Sequence, residues 1–165
     1  MISYKLLSLH ANNFVIGSIG AFYALFPLIF AIPVGRWINQ FGEGRFIAFG
    51  TSLLALASLG LANANSIGLI AVLVSLLGTS QLLCMVGAQS LIANRTAKGN
   101  YENFFGYYTF SAALGQLIGP LIGSWVSGAS GVLPRSTGNA FLAAAVIALI
   151  GIIPLLFKMP MRPTI

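Results

Sequence analysis

From Phe46 to Asn94 the chain carries no Asp, Glu, Lys, Arg or His. As one helix that run would extend roughly 70 Å at 1.5 Å per residue, more than twice the about 30 Å hydrocarbon core of a bilayer. Soluble proteins do not hold such a run, because about 25% of their residues are charged. Here 6% of the 165 residues are charged and 58% are hydrophobic, with a mean hydropathy of +0.93. The chain is therefore an integral membrane protein, and its uncharged run crosses more than once. The polar cluster Asn63, Ala64, Asn65, Ser66 is the turn-forming break within it.

The sparse charges mark where the chain leaves lipid, since an ionised side chain at the bilayer centre costs at least about 2.5 kcal/mol. They are Lys5, Arg36, Glu43, Arg45, Arg95, Lys98, Glu102, Arg135, Lys158 and Arg162. The intervals between them define five segments that can span the hydrocarbon, about 15–34, 46–62, 67–92, 104–126 and 140–157. Only helices or closed barrels satisfy the backbone in lipid, so the chain is expected to be an all-α polytopic transmembrane helix bundle, one domain over residues 1–165. Threading five spans sets Arg36, Arg45, Arg95, Lys98, Lys158 and Arg162 on one side, and Lys5 and Arg135 on the other. The positive-inside rule makes the first side cytoplasmic and predicts a multi-pass protein of a cell inner (plasma) membrane.

Several function classes are disfavoured. The net charge of +6 and pI near 10.0 could suggest nucleic acid, but the basic residues are scattered in pairs at membrane boundaries, so no nucleic-acid partner is expected. The single cysteine, Cys84, cannot form an intramolecular disulfide and reads as a small packing residue. His10 precedes the first span with no second histidine or carboxylate near it in sequence, which argues against a metal or proton site. There is no Asp, no Glu inside a span, no Ser-His-acid set and no GxxxxGK loop. An enzyme is not expected, nor is a cofactor or a metal. Met1 to Asn13 is too short an apolar run for a signal peptide or a span. The chain either begins partway through a protein or lacks its original first helix.

Three sets of residues remain as candidate functional positions. The stretch IPVGRWINQFGEGRF, from Ile32 to Phe46, packs two arginines, a glutamate and three glycines between the first two spans. In the fourth span small residues recur every four positions at Ser111, Gly115, Gly119, Gly123 and Ser127, forming one stripe of a helix that permits close backbone contact with a neighbour. Within it Pro120 removes a backbone donor and is expected to kink the helix beside the glycines. The stripe is either a generic packing face or a moving interface. Polar residues within spans are candidates for a substrate path: Gln81 and Gln89, with Met85 between them, share one stripe of the third span, and Tyr108 and Gln116 share a face of the fourth. Interhelical hydrogen bonding as glue is the alternative reading of these four.

The spacing of Gly35, Asn39, Gly42 and Arg45 resembles the cytoplasmic loop between helices two and three of the major facilitator superfamily. The segment GQLIGPLIG, Gly115 to Gly123, looks like the glycine-proline motif in helix five of that superfamily's exporters. Both stand in the right order, with two spans between them. The resemblance covers nearly the whole chain, the five spans matching helices two to six and Met1 to Leu9 the tail of helix one. GRW at Gly35 to Trp37 and GSW at Gly123 to Trp125 close the first and fourth spans, as expected if the half is built from inverted three-helix repeats. Departures are Asn39 in place of the usual aspartate, Gln40 where arginine is common, and Glu43 at a basic position. By this resemblance the segment with Gly35, Arg36, Asn39, Gly42, Glu43 and Arg45 is a conformational latch and topology anchor. The latch would use a neutral hydrogen bond or the charge of Glu43; the alternative is that Arg36 and Arg45 are anchors alone. Arg95, Lys98 and Glu102 read as anchors that could also pair with that segment.

The resemblance implies a transporter that moves a small organic solute by alternating access, an exporter being one form of it, with the lipid bilayer and a missing C-terminal half as partners. A buried titratable group for proton coupling would have to lie outside these spans. The alternatives are a small-molecule-binding membrane subunit that needs a separate partner, or a truncated inactive remnant.

Overall fold

The computed structural model describes residues 2–96, 99–127 and 133–158, and every element in them is helical. Lys98 and Arg162 lie outside the described residues, as do the side chains of Asn39, Arg135 and Lys158. In chain order the helices are α1 (Ile2–Ser8), α2 (Asn13–Phe41), α3 (Glu43–Asn63), α4 (Ile67–Arg95), α5 (Tyr101–Val126) and α6 (Leu133–Lys158). The fold is an all-α bundle of the kind the hydropathy predicts.

Helix α1 stops because His10 turns left-handed, at φ 57°. The His10 N–H donates to the Leu7 carbonyl at 3.0 Å and the Ala11 N–H to Leu6 at 3.1 Å, the paired bonds of a Schellman cap. A Cβ disfavours that conformation by about 1 kcal/mol, so His10→Gly is expected to stabilise the α1 terminus by up to about that amount. Slower amide exchange at Ala11 in His10→Gly would bear this out; unchanged or faster exchange would refute it.

Helix α2 runs through Pro27 and Pro33 without ending. It stops at Gly42, whose φ of 88° and ψ of 140° suit only a residue without a side chain, and α3 starts at the next residue. The expected loop from Gly35 to Arg45 is therefore helix except at Gly42. Gly35, Arg36 and Asn39 lie in the last two turns of α2, and Glu43 and Arg45 in the first turn of α3. Charge reports where a helix leaves lipid, whereas a helix ends only where the backbone departs from helical φ and ψ, and between Gly35 and Gly42 it does not. At the other end of α3 the chain breaks at Ala64 to Ser66, within the polar cluster.

Helix α3 is central, packed on α4 and α6, while α4 also packs on α2. One apolar core lies toward the Asn63 end, where Leu6, Ile19, Leu61, Ile70, Val74 and Phe141 meet. There the Lys5 Nζ donates to the carbonyls of Leu61 and Ala62 in the last turn of α3, a favourable place for a cation. A second, smaller core of Val34, Ile38 and Leu83 lies toward the Gly42 end. Hydroxyls inside the apolar helices satisfy themselves locally: Thr51, Ser52, Ser75 and Thr79 each donate to the carbonyl four residues back, at 2.7–2.9 Å.

Helices approach most closely at four glycines of α3 and α4. A Cβ on Gly78 would lie 2.0 Å from the Tyr23 carbonyl oxygen of α2, and one on Gly87 would lie 2.7 Å from Ile47 of α3. Gly50 and Gly60 of α3 similarly face Leu83 and Leu73 of α4.

Among the described residues three helices are long and apolar enough to cross a membrane, over Asn13–Ile38, Glu43–Asn63 and Ile67–Arg95. Helix α6 offers a shorter apolar stretch, Thr137–Gly151. In α5 the apolar residues are diluted by Glu102, Asn103, Thr109, Gln116 and the small-residue stripe. The outer surface is greasy, with Leu28 75% exposed, Ile32 72% and Leu117 68%. Contiguous apolar exposure on this scale suits a hydrocarbon solvent and not water.

Candidate functional site

The polar junction lies at the Gly42 end of the bundle. Starting α3 one residue after Gly42 places Glu43 in the first helical turn, where a negative charge is favoured by the helix dipole. Its side chain points inward and is only 7% exposed. There Oε1 accepts a hydrogen bond from Asn94 Nδ2, in the last turn of α4, at 2.6 Å. Asn94 Nδ2 also lies 3.4 Å from the Ser90 hydroxyl. At the adjacent residue the Tyr101 hydroxyl, at the start of α5, donates to the Ala93 carbonyl at 2.6 Å. The ends of α3, α4 and α5 are thus tied by polar contacts within a few residues of one another.

Among the described residues of the motif, Glu43 is the one with a side-chain hydrogen bond across helices, and its partner is the Asn94 amide. Arg36, Arg45, Arg95 and Glu102 are all exposed, and Gly35 is half-buried. Asn94 escaped the sequence reading because it stands beside Arg95 and reads as one more boundary residue. The available signal was an amide in the last helical turn, in register with Ser90.

The intramembrane polar residues divide between two helices. On α4, Gln81 and Met85 are exposed and Gln89 is half-buried, one stripe that shares the face of Gly78 and lies opposite Gly87. On α5, Tyr108 is half-buried and Gln116 exposed. Among the described contacts of these four residues none joins them into one cluster.

The small-residue stripe has no close neighbour within this chain over much of its length. A Cβ on Gly115 or Gly119 would meet nothing within 4 Å, and α5 has no buried residue. Pro120 sits within α5, which continues past it to Val126. Gly119 and Gly123 border a crevice of about 320 Å³ shared with Thr51 of α3 and Ala140, Ala144 and Ile147 of α6. Ser111 and Gly115 face outward. The tight glycine contacts observed are those of α3 and α4, whereas the stripe on α5 is open at Ser111 and Gly115 and loosely faces α3 and α6 at Gly119 and Gly123.

Comparison with known proteins fits this bundle. The chain is 26% identical over 143 residues to Multidrug resistance protein 1 of Bacillus subtilis (strain 168), which covers 86% of this chain and 37% of that protein. It is 25% identical over 149 residues to Multidrug resistance protein 2 of the same organism, 90% of this chain and 36% of that protein. The chain thus spans a little over a third of the length of these relatives. No solved structure matches it significantly. The family description "Major Facilitator Superfamily" matches residues 1–164, nearly the whole chain. With its all-helical bundle, the Gly42 junction and the glycine-proline segment of α5, this chain belongs to the major facilitator superfamily.

Proposed function

We propose that these residues form helices two to six, with the end of helix one, of an exporter that carries small organic molecules across a cell inner membrane by alternating access. The match of the family description to residues 1–164 carries this reading, and the names of both relatives favour efflux of chemically varied organic compounds. All five long helices would cross the bilayer. The Gly42 end would face the cytoplasm, in keeping with Arg36, Arg45 and Arg95 at that end and Lys5 at the other. The substrate would lie between this half and a C-terminal half, near the midplane, along the stripe of Gln81 and Gln89 on α4 and past Tyr108 and Gln116 on α5.

In this mechanism the half moves as a unit. The close α2–α4 and α3–α4 contacts supply its rigidity, and the open stripe of Ser111, Gly115, Gly119, Pro120 and Gly123 is the face on which the other half slides. The bond between Glu43 and Asn94 latches the cytoplasmic ends of α3 and α4, while Arg36 and Arg45 anchor topology.

Gly119→Leu tests the sliding face, because a Cβ at Gly119 meets nothing within 4 Å and the crevice beside it leaves space for a larger side chain. In the full-length protein that holds these residues, the variant is expected to insert normally and to lose at least tenfold in the efflux rate of a fluorescent lipophilic cation from cells. Wild-type efflux in Gly119→Leu would discard the sliding face.

A further inference from the structure

A second cavity lies on the Gly42 side of the bundle, distinct from the stripe and from the α4 glutamines. It has a volume of about 480 Å³ and runs between α2 and α3 with α4 as its floor. That volume is within the roughly 300–1,000 Å³ typical of ligand pockets. Its walls are aromatic, from Phe30, Trp37 and Phe41 on α2 and Phe46 and Phe49 on α3, with the Phe41 and Phe46 rings 6.4 Å apart. The one charged residue on its lining is Arg45.

The shape has a definite depth. From Phe41 to Phe30 the wall follows α2 for about 16 Å at 1.5 Å per residue. Half the hydrocarbon core of a bilayer is about 15 Å. The cavity therefore reaches from the helix boundary at Gly42 to about the membrane midplane, the depth of one leaflet. Its charged residue sits at the boundary end, on the first turn of α3, while the hydroxyl of Thr79 on the floor is spent on the Ser75 carbonyl of its own helix.

Charge decides what fits there. Arg45 is exposed and, among the described residues, has no ion-pair partner. The nearest carboxylate in sequence, Glu43, is turned inward to Asn94 and does not neutralise it. A guanidinium at a membrane boundary above an apolar slot one leaflet deep is complementary to a phosphate headgroup above an acyl chain.

We propose that this cavity is a binding site for an anionic phospholipid of the inner leaflet, with one acyl chain between α2 and α3 and the headgroup phosphate on Arg45. The site rests on the membrane orientation given above and does not depend on transport. Phe30, stacked on Phe26 with centroids 6.2 Å apart, lines its midplane end.

Trp37 in the cavity wall and Trp125 at the far end of α5 are the chain's only tryptophans, so each can be read alone. The full chain carrying Trp125→Phe would be reconstituted in mixed vesicles containing phosphatidylglycerol or phosphatidylcholine with brominated acyl chains, and quenching of Trp37 measured. Phosphatidylglycerol is expected to associate at Trp37 about fivefold more strongly than phosphatidylcholine, the factor one basic residue supplies at an anionic surface. Arg45→Gln should bring that ratio to near one, and Arg45→Lys should keep most of it. In the Trp37→Phe chain, Trp125 should show no preference in either background, while its quenching confirms that each variant is embedded.

A ratio near one at Trp37, or a preference that survives Arg45→Gln, would overturn the site. Quenching at Trp125 with none at Trp37 would mean that protein fills the slot, and would overturn it too. If neither tryptophan were quenched, the membrane placement itself would fail and the site with it, whereas loss of efflux alone would leave the lipid result standing.

Discussion

Gly78→Ala is expected to destabilise the bundle by about 3 kcal/mol, at the upper end of the overpacking range, because no small adjustment makes room for the added methyl group. The new Cβ would lie 2.0 Å from the Tyr23 carbonyl oxygen and 3.3 Å from the Pro27 ring. Pro27 has no N–H to give to the carbonyl four residues before it, which is that of Tyr23. That oxygen occupies the space a side chain at residue 78 would need, so only a glycine hydrogen fits against it. A carbon needs about 3.3 Å from such an oxygen, so α2 and α4 would have to separate by more than an ångström. Gly60→Ala is the matched control. Its methyl group would meet a Leu73 methyl tip at 2.8 Å, and a leucine tip can rotate away, so a loss below about 1 kcal/mol is expected. Unfolding of both variants in mixed detergent gives the comparison. A Gly78→Ala variant as stable as Gly60→Ala would show that the α2–α4 contact is not as rigid as described.

Asn94→Leu is expected to cost about 2 kcal/mol by leaving the Glu43 carboxylate buried without its donor. Glu43→Leu combined with Asn94→Leu should recover most of that loss, since replacing both partners with apolar groups is close to neutral. A double-mutant cycle separates this pair from the helix-dipole contribution of Glu43, which is worth about 0.3–1 kcal/mol. If the double variant is less stable than Asn94→Leu alone, the bond does not hold the two helices together in the way proposed.

The helices were legible in the sequence because each is an uncharged apolar run bounded by charge, and the α3–α4 break because Asn63 to Ser66 is a polar cluster inside one. Helix ends were not. The motif from Gly35 reads as a loop by its polarity, yet only the left-handed backbone of Gly42 interrupts the helices, and φ is not written in hydropathy. The stripe on α5 was visible through its strict spacing of four, but among the described residues no helix packs tightly on it, and only its Gly119 and Gly123 end looks across a crevice to α3 and α6. The reverse holds for Gly78. It repeats at no regular spacing, and its importance depends on a proline on a different helix that frees the one carbonyl facing it. Of the candidate path residues, Gln81 and Gln89 were found as amides in apolar surroundings, whereas Asn94 was hidden by the arginine beside it.

The one-residue connection between α2 and α3 also limits how the two helices can move. Two virtual bonds of 3.80 Å allow the last residue of α2 and the first of α3 to stand no more than about 7.6 Å apart. Neither helix can therefore slide along its axis without carrying the end of the other with it, and any displacement of the pair has to be a shared tilt or rotation about Gly42.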